Sequence, residues 1–93
     1  MTSHILVVDD VAKNVKLLAD VLAVKGYRVS TAASGEEALE RVAADPPDLI
    51  LLDVMMPGLS GYDVTRKLRA DPQHAVLPIV LVTALDPAKE RIN

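Results

Sequence analysis

Ile5-Leu6-Val7-Val8-Asp9-Asp10 is the stretch that decides the fold, because its design recurs twice further along the chain. Leu49-Ile50-Leu51-Leu52 runs into Asp53, and Ile79-Val80-Leu81-Val82 runs into Thr83-Ala84. Four aliphatic residues in a row, with no polar alternation, predict a strand buried on both faces, as in a parallel sheet covered by helices. In such a sheet the carboxyl ends of the strands share one edge, and ligands bind there. Three carboxylates and a hydroxyl are therefore expected on one rim. That set suits a cation and a phosphoryl group.

The segments between the runs carry helical patterns. Val11, Val15, Leu18 and Leu22 recur at spacings of one helix face, with Lys13, Lys16 and Asp20 on the other side. Gly26 after Lys25 is a C-terminal stop. Arg28 to Ala32 reads as a second strand, and Ser34-Gly35-Glu36-Glu37 as a capping box that opens a helix through Ala38, Leu39 and Val42. Pro46-Pro47 ends that helix. After the third strand, Leu49 to Asp53, comes the loop 54–61, then a helix over about Tyr62 to Ala70 with Val64 and Leu68 inward, stopped by Asp71-Pro72. Pro78 starts the fourth strand, and Asp86-Pro87-Ala88 opens a further helix.

The pattern is strand and helix in alternation, ending at the start of a fourth helix. Right-handed crossovers place helices on both faces of the sheet only where the winding direction reverses. With strand order 2-1-3-4 the reversal lies between the first and third strands, which end in Asp9-Asp10 and Asp53. The acidic residues fall at the topological switch point.

Composition narrows the function. The 93 residues make one small domain, 51% hydrophobic and 25% charged, with Tyr27 and Tyr62 as the two aromatic residues. The absence of cysteine excludes disulfides, thiolate metal sites and a cysteine nucleophile. A net charge of -3 argues against nucleic acid as a direct partner. Met1-Thr2-Ser3-His4 has no basic n-region and the next apolar run stops after four residues, so neither a signal peptide nor a membrane span is expected, and a cytoplasmic location is the default. His4 and His74 read as ordinary surface histidines.

Carboxylates held within a few ångströms repel one another unless a cation relieves them. Mg²⁺ fits, since it takes one or two carboxylates and completes its octahedron with waters and phosphate oxygens. The competing reading is structural: Asp9 or Asp10 caps the first helix. Asp53 is either a pure ligand or a nucleophile, since carboxylates do serve as phosphoryl acceptors. Thr83 can donate its hydroxyl to a phosphoryl oxygen, although a threonine at a strand end also follows from β propensity alone.

Taken together, the Asp9-Asp10 pair after ILVV, the LLDVMMPGLSGYDV segment around Asp53 and the VTAL segment around Thr83 resemble a response-regulator receiver domain over the whole 93 residues. The resemblance implies an α/β, flavodoxin-like doubly wound parallel sheet. It implies a phospho-acceptor module of a two-component phosphorelay rather than an enzyme, with Asp53 forming an aspartyl phosphate. Mg²⁺ would be held by Asp10, the Asp53 carboxylate and the backbone carbonyl of Met55, with Asp9 assisting through a water or a hydrogen bond. Thr83 would be the switch hydroxyl. The side chains of Met55 and Met56 are expected to pack in an apolar loop. The implied partners are a sensor histidine kinase or phosphotransfer protein, docking on the first-helix face around Asn14, Leu17, Leu18 and Val21, and an output domain outside this chain.

Receivers of this family have five strands and five helices, so residues 1–93 are expected to form a partial receiver. The usual fifth strand would be missing, and with it the lysine that pairs with the phosphoryl group. Lys89, at the start of a helix, cannot take that place. Losing one preorganised charge partner weakens phosphotransfer by about 3 kcal/mol. The fourth strand would also become an exposed edge open to homodimer pairing. The alternative function is a receiver fragment that cannot be phosphorylated and acts only in interaction or dimerisation. An Asp-nucleophile phosphatase would want D-x-D where Asp53-Val54-Met55 stands, and a dinucleotide binder wants glycines after the first strand.

Overall fold

The computed structural model describes residues 2–82 of the chain. Its elements are β1 (His4–Val8), α1 (Ala12–Val24), β2 (Arg28–Ala32), α2 (Gly35–Ala44), β3 (Leu49–Asp53), α3 (Gly61–Ala70) and β4 (Ile79–Val82). The strands form one parallel sheet in the order β2-β1-β3-β4, as the aliphatic runs predict. This is the flavodoxin-like doubly wound arrangement, with the reversal between β1 and β3. Thr83, Lys89 and the helix expected at Asp86 lie outside the described residues. Among the described residues, no helix is long and apolar enough to cross a membrane.

Register explains how the acidic residues meet. Val8 pairs with Ala32 on one side and Leu52 on the other, so the residues after β1 emerge beside the last residue of β3. Asp53 in turn pairs with Val82. Two backbone bonds extend the ladder past the strand ends, from Asp9 N–H to the Ala32 carbonyl and from Val54 N–H to the Val82 carbonyl, both 3.2 Å.

The two faces of the sheet are filled differently. Leu6, Val8, Ile50 and Leu52 join Ala38 and Val42 of α2, Val64 and Leu68 of α3, and Met56 in one buried cluster. The opposite side chains of β1, Ile5 and Val7, are buried as well, where α1 lies against β1 and β2. Yet α1 itself contains no buried residue. The stripe Val15, Leu18 and Leu22 is only half-buried.

Helix ends follow local chemistry. α1 closes in a Schellman motif, with Gly26 N–H bonded to the Ala23 carbonyl and Tyr27 N–H to the Leu22 carbonyl. Gly26 sits at φ 93°, a conformation that favours glycine. At α2, Ser34 accepts from the Glu37 N–H as expected, but the Glu37 carboxylate takes the Ala33 N–H at 2.6 Å instead of that of the cap, so the box is only half formed. The complete capping box belongs to α3, between Ser60 and Asp63. α1 starts at Ala12, and its cap residue Val11 offers no side-chain bond.

Both histidines correct the surface expectation. His4 is 4% exposed, because β1 starts one residue earlier than the apolar run and the imidazole turns in to Ser30 Oγ at 2.6 Å. His74 is 8% exposed, its Nδ1 lying 3.2 Å from Asp71 Oδ2. Arg69 holds the turn that follows α3 by donating to the carbonyls of His74, Ala75 and Leu77.

Candidate functional site

The carboxyl edge brings Asp9, Asp10 and Asp53 together, each presenting an oxygen within 4.8 Å of the others. Asp53 ends β3 and is 2% exposed, while Asp9 follows β1 and is 5% exposed. Asp10 is exposed. At 4.8 Å two negative charges repel by roughly 1 kcal/mol in water and about 3–4 kcal/mol at the effective dielectric of a protein surface. Such repulsion favours a divalent cation. The donor set is all oxygen and anionic, which fits a hard ion such as Mg²⁺.

Backbone and side-chain donors hold the carboxylates in place. Asp9 Oδ1 accepts from the Val11 N–H at 2.9 Å and Oδ2 from the Asn14 amide at 3.3 Å. The structural alternative of a capping aspartate is therefore only partly met, since Asp9 binds the N–H of the cap residue and is not itself the cap. Asp53 Oδ1 accepts from the Met55 N–H at 3.3 Å.

The loop 54–61 fixes the geometry beyond Asp53. A Cβ on Gly61 would stand 2.5 Å from the Asp53 carbonyl oxygen and 2.9 Å from Val54 Cα, so only glycine lets α3 begin so close to β3. Gly61 N–H closes that contact on the Val54 carbonyl at 3.0 Å. Gly35, at the start of α2, meets the same loop, where a Cβ would fall 2.6 Å from Leu59 Cβ. Met56 packs into the core at 8% exposure, as expected for the loop. Met55 does not: it is 42% exposed and, with Asp10, Pro57 and Tyr62, lines an open groove of about 570 Å³ beside the acidic site.

Three carboxylates outside the site sit below their ordinary range. Glu37 is lowered first by the Ala33 N–H and then by Arg41, Asp45 by Arg28, and Asp63 by the Ser60 N–H and hydroxyl. These are helix caps and surface ion pairs, and Glu37 lines a cavity that Asp9 and Asp10 also line.

Sequence reasoning missed two contributors. Asn14 stood only as part of a docking face, although an asparagine five residues after Asp9, on the first turn of a helix, is placed to reach back to the strand end. Ser60-Gly61-Tyr62-Asp63 has the spacing of a capping box, but it was read as the end of the loop.

With this geometry in hand, likeness to known proteins is specific. Residues 5–93 match the response regulator receiver domain family, and the chain belongs to it. Receiver domains of this family are signalling modules of two-component systems. The chain is 53% identical over 93 residues to the response regulator PleD of Caulobacter vibrioides, spanning all of this chain and 20% of that protein. It is 45% identical over 92 residues to the alkaline phosphatase synthesis transcriptional regulatory protein PhoP of Bacillus subtilis, spanning 99% of this chain and 38% of that one. The crystal structure of the N-terminal domain of a response regulator receiver protein from Methanoculleus marisnigri superposes with a TM-score of 0.87 at 41% identity, covering 96% of this chain and 74% of that one.

Proposed function

We propose that Asp53 is the phospho-acceptor of this receiver and takes its phosphoryl group from the phosphohistidine of a sensor histidine kinase or phosphotransfer protein. The convergence of Asp9, Asp10 and Asp53 within 4.8 Å at the switch point is the observation that carries this reading. A carboxylate oxygen of Asp53 attacks phosphorus, the phosphorus–nitrogen bond breaks, and the imidazole leaves with the electron pair. Asp10, the Asp53 carboxylate and the Met55 carbonyl would hold Mg²⁺, with Asp9 assisting through a water or a hydrogen bond. Once bound, the cation neutralises the charge that gathers on the transferring group. Thr83, which lies outside the described residues, is proposed as the switch hydroxyl.

Residues 1–93 are read as receiver sequence throughout, working in the cytoplasm. An output domain outside this chain would read the phosphorylated state, in keeping with relatives that the chain covers by only 20% and 38%. Beryllofluoride, which mimics the acyl phosphate, tests the acceptor. In the presence of Mg²⁺ it should shift the amide resonances of Asp53 and Met55, and Asp53→Ala should abolish the shift. An unchanged spectrum in the unsubstituted chain defeats the reading.

A second copy of the chain is the partner proposed for β4. That strand is the edge of the described sheet, with Val80 47% and Leu81 37% exposed. Sedimentation should show a concentration-dependent dimer, and a stable monomer at about 50 µM, well above the usual affinity of a specific pair, would remove the proposal.

A further inference from the structure

We propose that Asn14 is a positioning residue for the acidic centre: its neutral amide holds the Asp9 carboxylate in place for a divalent cation without neutralising it. The inference rests on the cation site proposed above and extends it to a residue of α1.

The first turn of α1 shows why such a residue is needed. Its cap residue, Val11, has no side chain to offer, and the turn contains no acidic residue. Asp9 ties the strand end to the helix instead, with one oxygen on the Val11 N–H and the other on the Asn14 amide. Both oxygens of a carboxylate that is 5% exposed thus carry a donor. Two fixed donors on opposite oxygens restrict rotation of the carboxylate about its last bond. Asp10 and Asp53 each present an oxygen within 4.8 Å of the carboxylate held in this way.

The chemical type of the donor matters as much as its place. An amide supplies a hydrogen bond and no net charge, so the triad keeps its full attraction for a cation. A lysine or arginine at position 14 would instead bring its own positive charge to Asp9 and compete with the metal. The lysines near Asn14 are engaged otherwise: Lys13 is exposed, and Lys16, which lines a cavity with Asp9 and Asp10, is paired with Asp20 at 2.9 Å. Asn14, the α1 side chain hydrogen-bonded to Asp9 at 3.3 Å, is uncharged.

Residues that hydrogen-bond to metal ligands typically contribute about 10-fold or more to metal affinity, which sets the expected effect. The test is a Mg²⁺ titration of the 93-residue chain and its variants by calorimetry, with the amide spectrum recorded to verify the fold. Asn14→Ala, which puts a strong helix former in the first turn, should bind Mg²⁺ about tenfold more weakly than the unsubstituted chain. Asn14→Lys should bind more weakly still, and raising the salt concentration should narrow its gap from Asn14→Ala. A folded Asn14→Ala that binds Mg²⁺ within about twofold of the unsubstituted chain overturns the inference and leaves the cation site standing. An unsubstituted chain that binds no Mg²⁺ removes the cation site itself.

Discussion

The two sides of the sheet are built to different standards. On one, α2 and α3 close over Leu6, Val8, Ile50 and Leu52, both helices begin at a serine cap, and Val42, Val64 and Ala38 are fully enclosed. On the other, α1 covers β1 and β2 with a half-buried stripe, begins at an uncapped valine, and leaves Leu17 and Val24 64% and 88% exposed. Asp53 is held from the first side, through the loop that Gly35 and Gly61 clamp. Asp9 is held from the second, through Val11 and Asn14. The acidic site therefore joins the more deeply packed side of the sheet to the less deeply packed one.

Core truncation should separate the two sides most sharply. Leu52→Ala, at a fully buried position, should cost about 2–5 kcal/mol in denaturant unfolding. Leu17→Ala, at a position 64% exposed, should change stability by no more than about 0.5 kcal/mol. Equal losses at the two positions would show that the α1 side of the sheet is packed as firmly as the side covered by α2 and α3. The helix starts should differ less. Ser60→Ala breaks the capping box of α3 and should cost about 1 kcal/mol, whereas Val11→Thr should add a cap to α1 and gain about 0.5 kcal/mol.

Acid should reveal the same asymmetry as a small effect. The Ser60 N–H and hydroxyl lower the Asp63 pKa on folding. A carboxyl lowered in this way contributes stability above its unfolded value, about 3.9 for Asp, and that contribution is lost as pH falls through the lower folded value. Asp63→Asn should therefore flatten the acid limb of the stability curve. An unchanged limb would mean that the box does not respond to protonation.

Much of this was legible in the sequence. Runs of four aliphatic residues without polar alternation do not read as amphipathic helices, so β1, β3 and β4 declared themselves, although Val80 and Leu81 of β4 are exposed. Given the order 2-1-3-4, handedness placed the reversal between β1 and β3. The acidic triad was legible because each member directly follows or ends such a run. Contacts that depend on side-chain direction were not. Periodicity marked the inward stripe of α1 but could not show that it stays half-buried, because burial depends on what lies opposite. The two histidines read as surface residues because nothing local marks Ser30 or Asp71 as their partners. Glu37 turned to Ala33 for the same reason, since a capping sequence fixes which donors are near but not which one wins.

The most direct test is the intact mass of the chain after incubation with acetyl phosphate and Mg²⁺. One added phosphoryl group is expected, absent when Mg²⁺ is withheld and absent in Asp53→Ala. An unmodified chain, or a phosphoryl group that survives Asp53→Ala, would contradict the assignment of Asp53 as the acceptor.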